Sequence, residues 1–427
     1  IFEEMNYLNT KIHKNNVSNF YKNIFVMLRG TLVAQAIATI GALYLAKIYG
    51  EEAYGFFGVF ISITGITSII SSLQLDKFIV ISKNTKESTN WYNFLLLLIP
   101  VATLIISLLL YVVSNYFFNE KLSENILLLS AIGTLIIALI TAHESFFTFQ
   151  KEFSTISNSK IFLTIGNLGL QILLYSSFNL LGLIIGFLIS QCSVLLYYVF
   201  KNRRVISTTN FTEIKKGLQS NTSILKFLLP SNTLNSIANS LMPILILAFF
   251  GVKEAGVYFF SQKILGIPLF LISSSVGQVY FQKSSVLLRE NKEELRMLTK
   301  KIVRTNLLIM LAFLLLINTV GMYLLDSFFE GKWIDLRPYT LLLSILVFAR
   351  VSFNPISSLI VVLDKNLESL LFNSYLFIIN LVAIFVGYFY HSITITILIL
   401  AVFGGIGYLV FLAYFLNHLK QIAKKDV

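Results

Sequence analysis

Gly50-Glu51-Glu52-Ala53-Tyr54-Gly55-Phe56-Phe57 returns 201 residues later as Gly251-Val252-Lys253-Glu254-Ala255-Gly256-Val257-Tyr258. Each copy has glycines five apart and an aromatic two residues beyond the second, and each lies between two long apolar windows. A match at constant offset and equal place in the hydropathy pattern marks a duplicated unit. Each copy is then the junction between the first and second helix of its half.

The rest of the chain fits that division. Of 427 residues, 56% are hydrophobic and 13% charged, and the mean hydropathy is +0.78. Soluble domains carry about 25% charged residues, so a string of water-soluble domains is excluded. A helix needs about 20 apolar residues to cross hydrocarbon with its backbone satisfied internally. Windows of that kind lie at 24–47, 54–75, 92–114, 125–142, 161–178, 181–200, 227–250, 256–282, 305–325, 338–363, 369–390 and 393–417. Breaks fall near Ser176, Ser177 and Asn179, and near His391 and Ser392. The expectation is an all-α polytopic membrane protein of twelve transmembrane helices. They form two six-helix bundles, 1–200 and 227–427, joined by the basic segment 201–226. Six spans per half give both bundles the same orientation, a parallel repeat about an axis along the membrane normal.

Lys and Arg are retained on the cytoplasmic side during insertion, and most of the 33 here alternate with the spans. With both termini inside, the outer segments hold Lys47, Lys121, Lys253, Lys332 and Arg337. The net charge of +12 is then a topology signal, with attraction to anionic membrane lipid, and nucleic-acid binding is not expected. Residues Ser285–Ile302 place Leu288, Leu295, Leu298 and Ile302 at near-helical spacing among charges, which predicts a short surface helix. Phe211, Ile214 and Leu218 predict another. No GxxxxGK[ST] loop occurs and Cys192 is the lone cysteine. Neither an ATP motor, a cofactor nor a Cys-based metal centre is expected.

Three stretches carry a resemblance: Arg29-Gly30-Thr31-Leu32-Val33-Ala34-Gln35, Leu45 to Gly55, and Leu73-Gln74-Leu75-Asp76-Lys77-Phe78-Ile79-Val80. They are similar to the start of the bacterial polysaccharide-unit flippases. That family includes the O-antigen (lipopolysaccharide) and capsule flippases of the multidrug/oligosaccharidyl-lipid/polysaccharide exporter superfamily. The resemblance implies a V-shaped pair of bundles around a central cleft in the bacterial inner membrane. It implies transfer of an undecaprenyl-diphosphate-linked oligosaccharide between leaflets by alternating access. A proton or sodium gradient would drive it, alongside other polysaccharide assembly proteins. Lipid II flippases of the superfamily carry two further helices, which this chain lacks.

The cargo's chemistry sets an independent requirement. A diphosphate and its sugars cannot enter hydrocarbon unaided, so a carrier needs a wet cleft with cationic anchors and little buried acid. Arg29, Lys263 and Arg350 interrupt apolar windows, and no Asp or Glu lies comparably deep. Arg350 is roughly 18 Å into its helix at 1.5 Å per residue, with Asn354 one turn on and Pro355 next. It either anchors carbonyls freed at Pro355 or faces cargo. Lys263 either snorkels or contacts the head group, and Arg29 either reaches inner-leaflet phosphate or captures cargo. Asn235 and Asn239, with Asn232, share one face of the seventh span and either bind sugar hydroxyls or join helices. Asn167 and Gln171 read as packing. Asp76, His143 and Glu144 read as interfacial charges, and no coupling-ion site is assigned.

Enzymes fit poorly. A polymerase calls for a large outer loop, and the longest here is 326–337; a membrane acyltransferase calls for a buried His with a carboxylate, and His391 lacks one. The alternative that stays open is a drug or cation antiporter of the same superfamily, which calls for deep carboxylates.

Overall fold

Gly50 and Gly251 hold φ of +75° and +125°, a region side chains rarely adopt, and each ends one helix and lets the next begin. The computed structural model describes residues 2–117, 124–203, 209–220 and 224–424. Side chains are described from residue 35 onward, apart from 36, 224, 228, 274, 275 and 278. Helix α1 (Phe2–Ser72) is divided by Gly50 into arms 2–49 and 51–72. The short α2 (Asp76–Ile81) precedes α3 (Thr85–Phe117), α4 (Glu124–Phe149) and α5 (Phe153–Leu173). After α6 (Tyr175–Phe178) and a 3-10 turn, α7 (Gly182–Asn202) completes the first half.

Helix α8 (Phe211–Ser220) lies in the connecting segment and buries Ile214, as its apolar spacing predicts. Then come α9 (Leu229–Phe249), α10 (Val252–Glu290) and α11 (Lys292–Leu316), which continues through a π turn into α12 (Met322–Phe329). Helix α13 (Leu336–Phe353) breaks into a 3-10 turn and α14 (Leu359–Val362). Helices α15 (Asn366–Phe389) and α16 (Ile393–Lys424) end the described chain.

Ten segments of the described residues are long and apolar enough to cross a membrane. One of them, Ile37–Ser72, contains the Gly50 break and so comprises two helices. The 21-residue α5 occupies the fifth place, and twelve spanning helices result, in two bundles. The break between the last two falls at His391, with φ +50°.

One expectation fails. Ser285–Ile302 is not a separate surface helix but the end of α10 and the start of α11. At 39 residues, α10 runs about 58 Å, well past a hydrocarbon core of about 30 Å. Asn291 turns the chain and caps α11 by accepting from Glu294 N at 3.0 Å. Leu295 is buried in the main core, with Leu288, Leu298 and Ile302 packed against it. The apolar spacing therefore marks helix-to-helix contact rather than a membrane-surface face.

The two bundles meet where the duplicated glycines lie. A Cβ on Gly55 would collide with the Val252 carbonyl oxygen, and a Cβ on Gly256 with the Glu51 carbonyl oxygen. The two contacts are equivalent under the repeat, so arm 51–72 and α10 touch backbone to backbone. Around them Tyr54 packs edge-on against Phe260 at 5.2 Å and Trp333 at 5.7 Å. Lys47 pairs with Glu330 at 3.0 Å and Lys253 with Glu52 at 3.8 Å. Such exposed pairs contribute about 0–1 kcal/mol each, so the glycine contact and aromatic cluster do most of the sealing on this face. Gly256→Leu should part the lobes here. In a Cys192→Ser background, thiol crosslinking of a Glu52→Cys/Lys253→Cys pair should fall several-fold on adding Gly256→Leu; undiminished crosslinking would show that the glycine does not hold this seam.

Candidate substrate-binding cavity

Arg350 lies in the last turn of α13, just before Pro355, which has no N–H to continue the helix. Its guanidinium does not turn to a carbonyl freed at that break. Instead Nη2 donates to Asn239 Oδ1 of α9. Asn239 Nδ2 in turn donates to the Asn235 carbonyl and to Asn235 Oδ1, both at 2.8 Å. Arg350 Nε is buried without a partner, and the Tyr408 ring of α16 lies 5.8 Å from the guanidinium carbon. These residues line a cavity of about 510 Å³ together with Asn232 and Asn354. Four sequence-predicted site residues, Asn235, Asn239, Arg350 and Asn354, thus share one wall system. Among the described residues no Asp or Glu lines it.

The face of α9 is free for this because other side chains join it to α15. Asn373 Nδ2 donates to the Ser231 carbonyl at 3.1 Å, Asn380 Nδ2 donates to the Ala238 carbonyl, and Ser231 and Ser369 share a 2.8 Å hydroxyl bond. Helix gluing thus falls to α15 amides, leaving the α9 amides facing the cavity.

Lys263 lines a second cavity of about 430 Å³, between α1, α5, α7 and α10. Its ammonium stands 5.7 Å from the Tyr54 ring and 6.0 Å from the Phe57 ring. Cation–π contacts of this kind stabilise by about 0.5–2 kcal/mol without neutralising the charge, and no Asp or Glu among the described residues lines this cavity either. Asn167, whose Oδ1 is buried and unpartnered, faces it. Gln171 also lines it but donates to the Leu183 carbonyl at 2.8 Å, the helix-packing role its sequence suggests. Gln262 lines both the Lys263 cavity and a narrow gap reaching Arg350 and Asn239, and donates to Tyr258 Oη at 2.6 Å. The two cationic cavities are therefore neighbours across Gln262 and Tyr258. The Arg29 side chain lies outside the described residues.

Two readings of interfacial charge need correction. His143 is 1% exposed, held between the Tyr92 and Tyr198 rings at 5.3 and 6.0 Å, with Nδ1 2.9 Å from the Leu139 carbonyl. Helix α4 simply continues past the predicted span end to Phe149, carrying His143 into packed protein. Asp76 is not in a solvated loop either; it lines a polar cavity of about 330 Å³ with Ser68, Ser72, Thr141, Asn232 and Asn235.

An arrangement of amides, hydroxyls, ring faces and cations that no carboxylate accompanies among the described lining residues suits an anionic, hydroxyl-rich head group. Guanidinium forks bind phosphate or carboxylate bidentately, and amides match sugar hydroxyls. A family model described as polysaccharide biosynthesis protein matches residues 44–338. The chain belongs to that family. Among curated proteins, the teichuronic acid biosynthesis protein TuaB of Bacillus subtilis (strain 168) is 26% identical over 254 residues, 58% of this chain. The chain spans about half, 51%, of that relative's length. Among solved structures, the lipid II flippase MurJ in an inward closed conformation superposes with a TM-score of 0.72 at 13% identity, covering 93% of this chain and 90% of that one. An inward-facing multidrug resistance transporter of the MATE family gives 0.69 at 14% identity, covering 92% and 96%. These likenesses show the two-lobed fold.

The Arg350–Asn239 bond makes a testable energetic claim. Asn239→Ala should cost about 1–3 kcal/mol by stranding a charged donor, read as a lower unfolding midpoint in detergent. The double variant Asn239→Leu/Arg350→Leu should recover part of that loss, because both polar partners leave together. A double variant less stable than Asn239→Ala would contradict the pairing.

Proposed function

We propose that this protein is a flippase. It turns the head group of an undecaprenyl-diphosphate-linked oligosaccharide repeat unit from one leaflet to the other by alternating access, while the isoprenoid tail stays in lipid. The observation that carries this reading is Arg350, a half-buried guanidinium with one amide acceptor, in a cavity of amides and rings that no carboxylate lines among the described residues. A cation at such depth costs at least about 2.5–3.5 kcal/mol to insert, which an arriving diphosphate or acidic sugar offsets. Lys263 supplies a second anchor next door. In this reading Asn235, Asn239 and Asn354 bind sugar hydroxyls, and Arg29 is proposed from the sequence to capture the cargo.

The charge pattern favours the cytoplasmic membrane of a bacterium with both termini inside. In that orientation the Gly55–Gly256 seam seals the outer face. Polysaccharide biosynthesis as the family role and TuaB as a relative support a lipid-linked glycan as cargo; an O-antigen, capsule or other wall polymer unit would each meet the cavity's chemistry. An ion gradient, of protons or sodium, is the energy source in this reading, and other polysaccharide assembly proteins would supply and consume the cargo.

The rival is a drug or cation antiporter, since a MATE-family transporter shares the fold. The cavities around Lys263 and Arg350 disfavour it, because a cationic guest would meet like charge there. Arg350→Ala and Lys263→Ala should each lower surface glycan severalfold while protein remains in the membrane. Wild-type glycan in both variants would remove these residues from the site, and export of cationic dyes from proteoliposomes without glycan transfer would favour the antiporter.

A further inference from the structure

Leu73 and Gln74, consecutive and not glycine, hold φ of +49° and +52°. Such residues pay roughly 1–2 kcal/mol each for the left-handed region, and such strain persists only where surrounding contacts hold it. Here they bend the chain between arm 51–72 and α2, and the bend sets up a chain of contacts between the lobes. Gln74, buried, donates from Nε2 to Thr233 Oγ1 of α9 at 3.2 Å. Its Oε1 accepts from Lys77 Nζ at 2.5 Å. Lys77 is adjacent to Asp76, and the two charges act on each other. Asp76 opens on the polar cavity that also holds Asn232 and Asn235 of α9. Lys77, Gln74 and Thr233 thus form a hydrogen-bonded chain from one lobe to the other, and the half-buried carboxylate of Asp76 lines the same cavity as Gln74 and Lys77.

We propose that Asp76 is a proton-binding group that operates a latch between the lobes: its protonation holds the Gln74–Thr233 contact, and its ionisation releases it. This rests on the two-lobed transporter reading but not on the identity of the cargo.

The surroundings fix the sense of the effect. Burial raises the Asp76 pKa above the ordinary carboxylate value, opposed by Lys77, by a backbone amide and by the Ser72 and Ser145 hydroxyls. The described state therefore binds the proton more tightly than a state in which Asp76 is solvated, and protons favour the latched arrangement. As pH rises, the ionised carboxylate gains hydration by leaving the cavity, and the strained turn loses what holds it. Burial lowers the Lys77 pKa, with Asp76 opposing.

Titratable groups on neighbouring elements look elsewhere. In α4, His143 is enclosed by Tyr92 and Tyr198, and Glu144 accepts from Tyr198 Oη. In α3, Glu87 accepts from Lys83 N, and across from it Lys86 pairs with Glu213 of α8. From α9, the cavity receives Asn232, Asn235 and Ser236, none of which titrates.

Spin labels at Lys83→Cys and Leu367→Cys, in a Cys192→Ser background in lipid nanodiscs, read the spacing of the lobes by pulsed electron resonance. The unmodified latch should shift from a short to a long distance as pH rises. Asp76→Asn, a fixed neutral mimic, should hold the short distance at every pH. Thr233→Val, which leaves Asp76 intact, should populate the long distance even at low pH. A pH response retained in full by Asp76→Asn would overturn the proposal, as would a response set by sodium at constant pH. A distance insensitive to pH in the parent protein would do the same, while glycan transfer measured separately would leave the flippase reading standing.

Discussion

Two helices from opposite lobes can lie backbone against backbone only if no side chain stands between them, and the protein meets that condition with Gly55 and Gly256. Each presents its Cα to the carbonyl of the residue that, in the repeat, precedes the other glycine by four. The partners of the pair, Gly50 and Gly251, do a different job with their positive φ: they end one helix so that the next can approach at the required angle. With the lobes closed together at this face, the cavities around Lys263 and Asp76 are lined from both of them, and the Arg350 cavity opens within the second bundle, between α9, α10, α13 and α16.

The two cationic cavities are chemically lopsided. Lys263 meets rings and Arg350 an amide and a ring, and carboxylates do not line either of their cavities among the described residues. A buried cation paired with a carboxylate would be satisfied and inert. A cation held by an amide or by ring faces is tethered but still attracts an anion, so the protein keeps the charge placed without quenching it. Aromatic and aliphatic residues face outward over much of the remaining surface, as a lipid environment requires.

The architecture was legible because a bilayer writes strong constraints into sequence: apolar windows of fixed length, basic segments alternating between sides, and glycines wherever helices must break or touch. Asn235 and Asn239 were legible as a face of α9 from their spacing alone. Tyr408 was not, because its place over Arg350 depends on how closely α16 approaches α13; the glycines at 404 and 405, which face Leu346 and Ala349 of α13, were the available hint. The buried position of His143 was hidden by a span end set too early, since hydropathy marks where lipid stops and not where packing does. Asp76 was misread for a related reason. A charge at the end of an apolar window looks solvated, and only the turn at Leu73 and Gln74 reveals that the chain folds it back between the lobes.

The central claim, that an anionic lipid head group enters the neighbouring cavities around Lys263 and Arg350 and displaces the internal partners of these two cations, is tested most directly by electron cryo-microscopy. The specimen would be the protein in nanodiscs containing an undecaprenyl-diphosphate oligosaccharide. The account predicts head-group density between α9, α10 and α13, with phosphate or sugar oxygens within hydrogen-bonding distance of Arg350 or Lys263. Head-group density confined to the lipid-facing surface, with Arg350 still bonded to Asn239 and both cavities holding solvent alone, would contradict it.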